Sequence, residues 1–243
     1  MDIVIGFRAV TEAIVAGKNI DRLYIRKGLS GELFRDFFAL IRERDLPYQF
    51  VPEEKLNRIT LKNHQGVIAL LAAVEYQSIE QLLPMIYEAG RDPFIVVLDG
   101  VTDVRNMGGI ARTAECAGAD AILIADKGAA QINEDAMKTS AGALLYIPVC
   151  RVRDLKEALV FLKSSGLRVV GATEKADQNC FSSSLSGPVA VLLGAEDTGI
   201  SPEYLRLCDE KVRIPLAGKI GSLNVSAAAA VLLYEVVRQR ISS

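Results

Sequence analysis

The chain has 243 residues and a mass of 26.3 kDa, with half its residues apolar and 24% charged, which supports a sizeable core and excludes disorder as the main state. Lys and Arg number 28 against 30 Asp and Glu, for a formal charge of −2, so any nucleic-acid surface has to be a local patch. A single histidine, His64, excludes a His-based triad or a multi-His metal site within one subunit.

The first 75 residues alternate helical and strand patterns. A helix is predicted over 7–16, ended by Gly17, then a strand over 21–25 with alternating apolar positions. Residues 32–44 place Leu33, Phe37, Leu40 and Ile41 at helical spacing. A strand over 46–51 closes at Pro52, a short helix follows over 53–59, and the apolar run 67–74 suits a buried strand. A connecting helix is predicted over 78–90, with Pro84 at a kink or a helix start.

After Pro93 the pattern becomes strand, glycine-rich turn and helix, repeated. Strands are predicted over 94–98, 121–124, 168–172, 189–193 and 211–214, and helices over 108–116, 134–140, 155–163, 202–207 and 224–240. Continuous apolar strands alternating with helices predict an α/β fold with a parallel sheet covered on both faces. The four cysteines lie 28 or more residues apart with no CxxC spacing, and read as reduced, mostly buried thiols. No apolar run reaches the roughly 18 residues of a membrane span, and the start MDIVIGFRAV lacks the features of a signal peptide. The chain is expected to be cytoplasmic.

In a doubly wound sheet the ligand lies beyond the carboxyl ends of the strands, and three segments there have unusual composition. In 98–118, Asn106 is placed to cap a helix, Gly108 and Gly109 permit close approach of a backbone or ligand, and Arg112 sits one turn further on. A cap and a surface arginine account for the same pattern. In 192–201 a buried strand ends in Gly194-Ala195-Glu196-Asp197, followed by Gly199. That is the form of many nucleoside-binding turns and of many ordinary strand–helix connections. In 213–235 a glycine-rich loop with Gly218 and Gly221 leads to Ser222, Asn224 and an alanine-rich helix, suited to gripping a polar ligand or to capping a closely packed helix.

Other motifs fail. Gly218-Lys219-Ile220-Gly221 matches a KH-type GxxG but lies in the wrong context. No P-loop glycine precedes Gly17-Lys18 or Gly218-Lys219, and no GxGxxG follows a strand, which counts against a nicotinamide-dependent enzyme. His64 reads as structural or RNA-contacting rather than a metal ligand.

Taken in order, the segments Asn106-Met-Gly-Gly-Ile-Ala-Arg112-Thr113, Gly194-Ala-Glu196-Asp-Thr-Gly199 and Ser222-Leu-Asn224-Val-Ser226 resemble the signature motifs of the SpoU/TrmH branch of the SPOUT RNA methyltransferases. The front portion, with Gly6, Ala9, Val10 and His64-Gln65-Gly66-Val67, resembles that family's small substrate-binding domain. The nearest likeness is to the 23S rRNA guanosine 2′-O-methyltransferase group, although Arg8 stands where that group often has histidine.

The resemblance implies an RNA-binding domain over 1–75, a linker helix over 76–92 and a catalytic domain over 93–243 whose parallel sheet is tied in a trefoil knot, against the general rarity of threading. It implies S-adenosylmethionine as methyl donor, no metal, and a homodimer that completes the active site. Gly194, Ile214 and Leu223, with Thr173, Ala195 and Ala217 beside them, are expected to hold the donor. Arg112 is expected to activate the ribose hydroxyl. Because an arginine side chain stays protonated, stabilising the developing alkoxide and holding the adjacent phosphate suits it better than acting as a base. Asn106 would position the ribose or Arg112, Glu196 would orient a partner group, and Ser222 and Asn224 would fix the acceptor and the loop. Methyl transfer to tRNA and a non-catalytic rRNA-binding assembly factor are the competing readings. Residues 1–90 hold 11 basic and 12 acidic side chains, so RNA recognition is expected to rest on local groups such as Arg8, Arg26, Lys27 and Arg58.

Overall fold

A computed structural model describes residues 3–242. They divide into two units, 3–75 with 132–134, and 76–131 with 135–242.

The first unit runs β1 (Ile3–Ile5), α1 (Phe7–Val15), β2 (Ile20–Arg26), α2 (Glu32–Glu43), β3 (Tyr48–Val51), α3 (Glu53–Ile59) and β4 (Val67–Leu71). Its sheet has the order β1-β4-β2-β3, with β2 and β3 parallel and the other pairings antiparallel. Side chains alternate across a strand, and the apolar runs of β2 and β4 feed both faces. Leu23, Ile25, Val67 and Ala69 join Val10, Phe37 and Ile41 from α1 and α2. Tyr24, Ile68 and Leu70 pack with Val51 and with Leu56 of α3.

His64 is structural here. Its Nδ1 accepts from the Gly66 amide at 3.0 Å, so Nε2 carries the proton and donates to Asn57 Oδ1 at 3.0 Å. The turn it fixes aims Gln65 Oε1 at the amide of Phe7, the first residue of α1. That contact crowds Gly6, whose φ of +84° favours glycine and whose Cβ position would lie 3.0 Å from Gln65 Oε1.

The second unit runs β5 (Tyr76–Gln77), α4 (Ile79–Glu88), β6 (Phe94–Asp99), α5 (Val104–Cys116), β7 (Ala121–Ala125), α6 (Glu134–Thr139), β8 (Val149–Val152), α7 (Leu155–Ser164), β9 (Arg168–Ala172), β10 (Gln178–Asn179), β11 (Val189–Gly194), α8 (Pro202–Leu205), β12 (Glu210–Arg213) and α9 (Val225–Ile241). Every pairing in its eight-stranded sheet is parallel, in the order β10-β12-β9-β11-β6-β7-β8-β5. The chain therefore leaves β9 for the edge, returns to lay β11 between β9 and β6, and goes out again to insert β12 between β9 and β10. Helix α9 is stitched to the segment that makes this excursion. The Leu185 amide donates to Gln239 Oε1 at 2.6 Å, Gln239 Nε2 donates to the Ser183 carbonyl at 2.8 Å, and Arg240 donates to the Gly187 carbonyl at 2.8 Å.

Helix α4 runs through Pro84 and buries Ile79, Leu83 and Ile86 in the core of this unit, beside Ile95, Leu123 and Leu159. One expectation changes. Helix α5 begins at Val104 because the Asp103 carboxylate caps it, accepting from the amides of Arg105 and Asn106 at 2.8 and 2.9 Å. Asn106 is thus inside the first turn with its side chain free for other work. Of the cysteines, Cys150 and Cys180 are buried, Cys208 is partly so, and Cys116 is exposed. Burial pushes the Cys150 thiol up to about 12 and the Cys208 thiol up to about 11, so neither is a nucleophile at neutral pH.

Candidate functional site

The carboxyl ends of β9, β11 and β12 open into a cavity of about 380 Å³, a size that suits a small-molecule ligand. Its walls combine Leu193, Ile214, Leu223 and Val225 with the backbone of 194–199 and the polar side chains of Thr173, Glu174, Lys175 and Ser222.

The turn after β11 is closed on itself. Ala195 and Gly199 form an antiparallel bridge, with the Gly199 amide donating to the Ala195 carbonyl at 2.9 Å. A Cβ on Gly194 would sit 2.1 Å from the Gly199 carbonyl carbon, so only glycine fits. The turn is also pinned from below, since Asp99 at the end of β6 accepts from the Ser201 amide at 2.6 Å.

No close backbone approach occurs at Gly218 or Gly221. A Cβ there would meet nothing within 4 Å, and neither has a positive φ. Residues 215–224 are exposed, Ile220 by 80%.

Three of the residues expected to do chemistry form one hydrogen-bonded group. Asn224 Nδ2 donates to Asn106 Oδ1 at 2.9 Å and to Glu196 Oε1. Its Oδ1 accepts from the Ser226 amide at 3.0 Å and from Ser226 Oγ at 2.5 Å, capping α9. Asn224 is therefore both a helix cap and the hub that ties α5, the β11 turn and α9 together.

The paired glycines of α5 make this possible. A Cβ on Gly109 would lie 3.2 Å from the Cβ of Ser226, and one on Gly108 would lie 2.6 Å from Thr139 Cβ and 2.9 Å from the Ala136 carbonyl. The close approach at this pair is therefore made by α9 and α6.

Gly194, Ala195, Thr173, Ile214 and Leu223 all line the cavity, as do Glu196 and Ser222. Ala217 does not; it lies in the exposed loop. Asn106 and Asn224 are joined to the cavity through Glu196. Arg112 is outside this group. At about 100° per residue it sits about 120° around α5 from Asn106, in line with Arg105 instead, and it is exposed. Sequence reading missed Glu174 and Lys175, which follow the end of β9; the rule that ligands gather at strand carboxyl ends was the signal available. In the first unit Arg8, Lys27 and Arg58 are exposed, while Arg26 pairs with Glu53 at 3.2 Å.

A family model described as the SpoU rRNA methylase family matches residues 93–234, and one described as RNA 2′-O ribose methyltransferase substrate binding matches residues 3–77. A Staphylococcus haemolyticus protein named for the TrmH family of tRNA/rRNA methyltransferases is 34% identical over 238 residues, covering 98% of this chain and 96% of that protein. Among solved structures, the SpoU methyltransferase AviRb from Streptomyces viridochromogenes, in complex with AdoMet, aligns with a TM-score of 0.63 at 28% identity, covering 99% of this chain and 91% of that one. A structure described as an RNA 2′-O ribose methyltransferase aligns with a TM-score of 0.58 at 28% identity, covering 98% and 88%. With its eight-stranded parallel sheet, its separate small mixed-sheet unit and these matches over nearly its whole length, the chain belongs to the SpoU/TrmH family of RNA methyltransferases.

Proposed function

We propose that this chain transfers the methyl group of S-adenosylmethionine to a ribose 2′-hydroxyl of RNA, with a guanosine of 23S rRNA as acceptor. The cavity at the ends of β9, β11 and β12 carries this reading: it has the size for the donor and gathers five of the six residues assigned to it, Gly194, Ala195, Thr173, Ile214 and Leu223. Leu193, Ile214 and Leu223 offer apolar surface for a flat base, and the 194–199 backbone offers polar groups for the rest. The AdoMet complex of AviRb supports the choice of donor. When bound, S-adenosylmethionine supplies an electrophilic methyl group on a sulfonium.

The chain's own residues then have to hold the acceptor and manage its charge. Asn106, Glu196 and Asn224, locked to one another, present fixed polar groups at the cavity rim, with Ser222 beside them. Arg112 is a cation that stabilises negative charge developing on the 2′ oxygen and grips the neighbouring phosphate. Its exposure on a different side of α5 from Asn106 supports a site completed across a homodimer, with Arg112 of one protomer serving the cavity of its partner.

The domain reading follows the same lines: 1–75 binds RNA, 93–243 carries the transfer, and 76–92 joins them. The positions of the two family matches support it. The trefoil knot fits the strand order, in which β11 and β12 are inserted inside earlier strands, and fits the bonds between α9 and 183–187. Among the described residues no helix is long and apolar enough to cross a membrane, which agrees with a place in the cytoplasm beside ribosomal RNA.

The test is transfer of label from S-adenosylmethionine to total RNA from cells lacking this protein. Label in alkali-resistant dinucleotides of 23S rRNA is the expected result. Label in tRNA keeps the chemistry and overturns the acceptor, and no label in any RNA overturns the enzyme.

A further inference from the structure

The first unit carries an aromatic group that the site above does not use. Tyr48 and Phe50 stand two residues apart on β3 and so share a face of that strand. Phe38 of α2 packs edge-on to Tyr48 at 5.1 Å and tilted to Phe50 at 5.8 Å, and Phe34, one turn earlier, stacks on Phe38 at 5.6 Å. The four rings thus brace one another.

The outer pair is nevertheless open: Tyr48 is 37% exposed and Phe50 40%. Among the described residues β3 is an edge strand, bonded only to β2. Arg42 continues the Phe34–Phe38 row of α2 at four-residue spacing and is exposed.

We propose that Tyr48 and Phe50 form a stacking platform for an unpaired nucleobase of the RNA substrate, with Arg42 holding an adjacent phosphate. The platform rests on the RNA-methyltransferase reading and places a recognition subsite within its substrate-binding unit. Two observations favour a base over a protein partner. Two rings at two-fifths exposure present on the order of 150 Å², against about 800 Å² per partner in a stable protein interface. The rings are also rigidly backed and flanked by a cation, the combination that binds single strands by stacking plus phosphate contact in a sequence-tolerant way. A near-neutral unit needs such a device, because long-range charge cannot hold the RNA.

The chain has no tryptophan, so Tyr48→Trp creates a unique reporter on the platform. Titrating this full-length variant with single-stranded poly(A) should quench its emission, while duplex poly(A)·poly(U) should leave it unchanged. The double variant Tyr48→Leu with Phe50→Leu keeps apolar packing on Phe38 and removes both outer rings. It should weaken poly(A) binding at least about fivefold, the low end of aromatic–base stacking. S-adenosylmethionine binding should be unchanged, and KM for RNA should rise with kcat within about twofold. Unquenched indole emission from the Tyr48→Trp variant overturns the platform even if the leucine variant does not fold. Unchanged RNA affinity in a folded leucine variant overturns it too, as does a change in sedimenting mass without a change in affinity, which would make the patch a contact between copies. Wild-type methyl transfer, run in parallel, separates these results: failure there removes the enzyme reading, whereas loss of the platform with transfer intact leaves it standing.

Discussion

The turn after β11 and the loop after β12 border the same cavity and each carries two glycines, Gly194 and Gly199 in one, Gly218 and Gly221 in the other. In the first, glycine is demanded by sterics: the backbone of Gly199 and Ile200 passes within 2.4 Å of where a Gly194 Cβ would be, and Gly199 has a φ of +68°. In the second, both glycines face open space with no positive φ. The same glycine count therefore serves a sterically closed turn on one side and an exposed loop on the other, which ends at Asn224 and helix α9. On the proposed reading, the closed turn is the rigid wall that would fix the reacting geometry, and the exposed loop is the flap that would admit and release ligand.

The largest effect that would break this contrast is expected from Gly194→Ala. The added methyl cannot coexist with the turn, so urea denaturation should show a loss of about 3 kcal/mol, and calorimetry should show no S-adenosylmethionine binding. A near-native variant would mean that the wall is not rigid.

Asn224→Ala comes next. It removes the α9 cap, at about 1 kcal/mol, and frees Asn106 and Glu196. Turnover should therefore fall far more than stability does. Asn224→Ser, which keeps a cap but not the two side-chain bonds, should recover the stability and little of the turnover.

A smaller, pH-dependent effect probes how α9 is anchored. The bidentate bond from Arg238, with Gln239 adding to it, holds the buried Glu235 carboxyl below the usual glutamate range. A lowered folded value means stabilisation that is complete above the ordinary glutamate pKa and is lost as pH falls through the folded one. Melting temperature should drop on acidification across that window, and Glu235→Gln should flatten the drop. An unchanged acid profile in the variant would remove Glu235 from the anchor.

Least of all is expected from Gly218→Ala, which should shift stability by no more than about 0.5 kcal/mol. It should slow donor release instead, as seen in stopped-flow dissociation, because the flap loses backbone freedom.

Much of this architecture is legible in the residues. The apolar runs of β6, β7, β9 and β11 announce strands buried on both faces, and Asn224 before an alanine-rich stretch marks the start of α9. The short strands β5 and β10, two residues each, have no period to detect, and β8 reads Val-Cys-Arg-Val, too mixed for a buried strand. Asn106 resembles a cap by type, and only in the fold does Asp103 do that work while Asn106 reaches Asn224 across 118 positions of sequence. Gly108 and Gly109 reveal a need for space, but which neighbour fills it is a tertiary fact. Ala217 sits between residues that do line the cavity, and nothing in its identity says that the loop turns it outward.

The central claim is that donor binding belongs to the cavity and that acceptor activation belongs to Arg112. The most direct measurement is a paired one on Arg112→Ala and Leu223→Asp: S-adenosylmethionine affinity by calorimetry, and single-turnover methyl transfer to 23S rRNA. Arg112→Ala should bind the donor as the wild type does and transfer it about 10²–10³ times more slowly, whereas Leu223→Asp should fail at binding. Undiminished transfer by Arg112→Ala, or undiminished donor affinity in Leu223→Asp, would contradict the account.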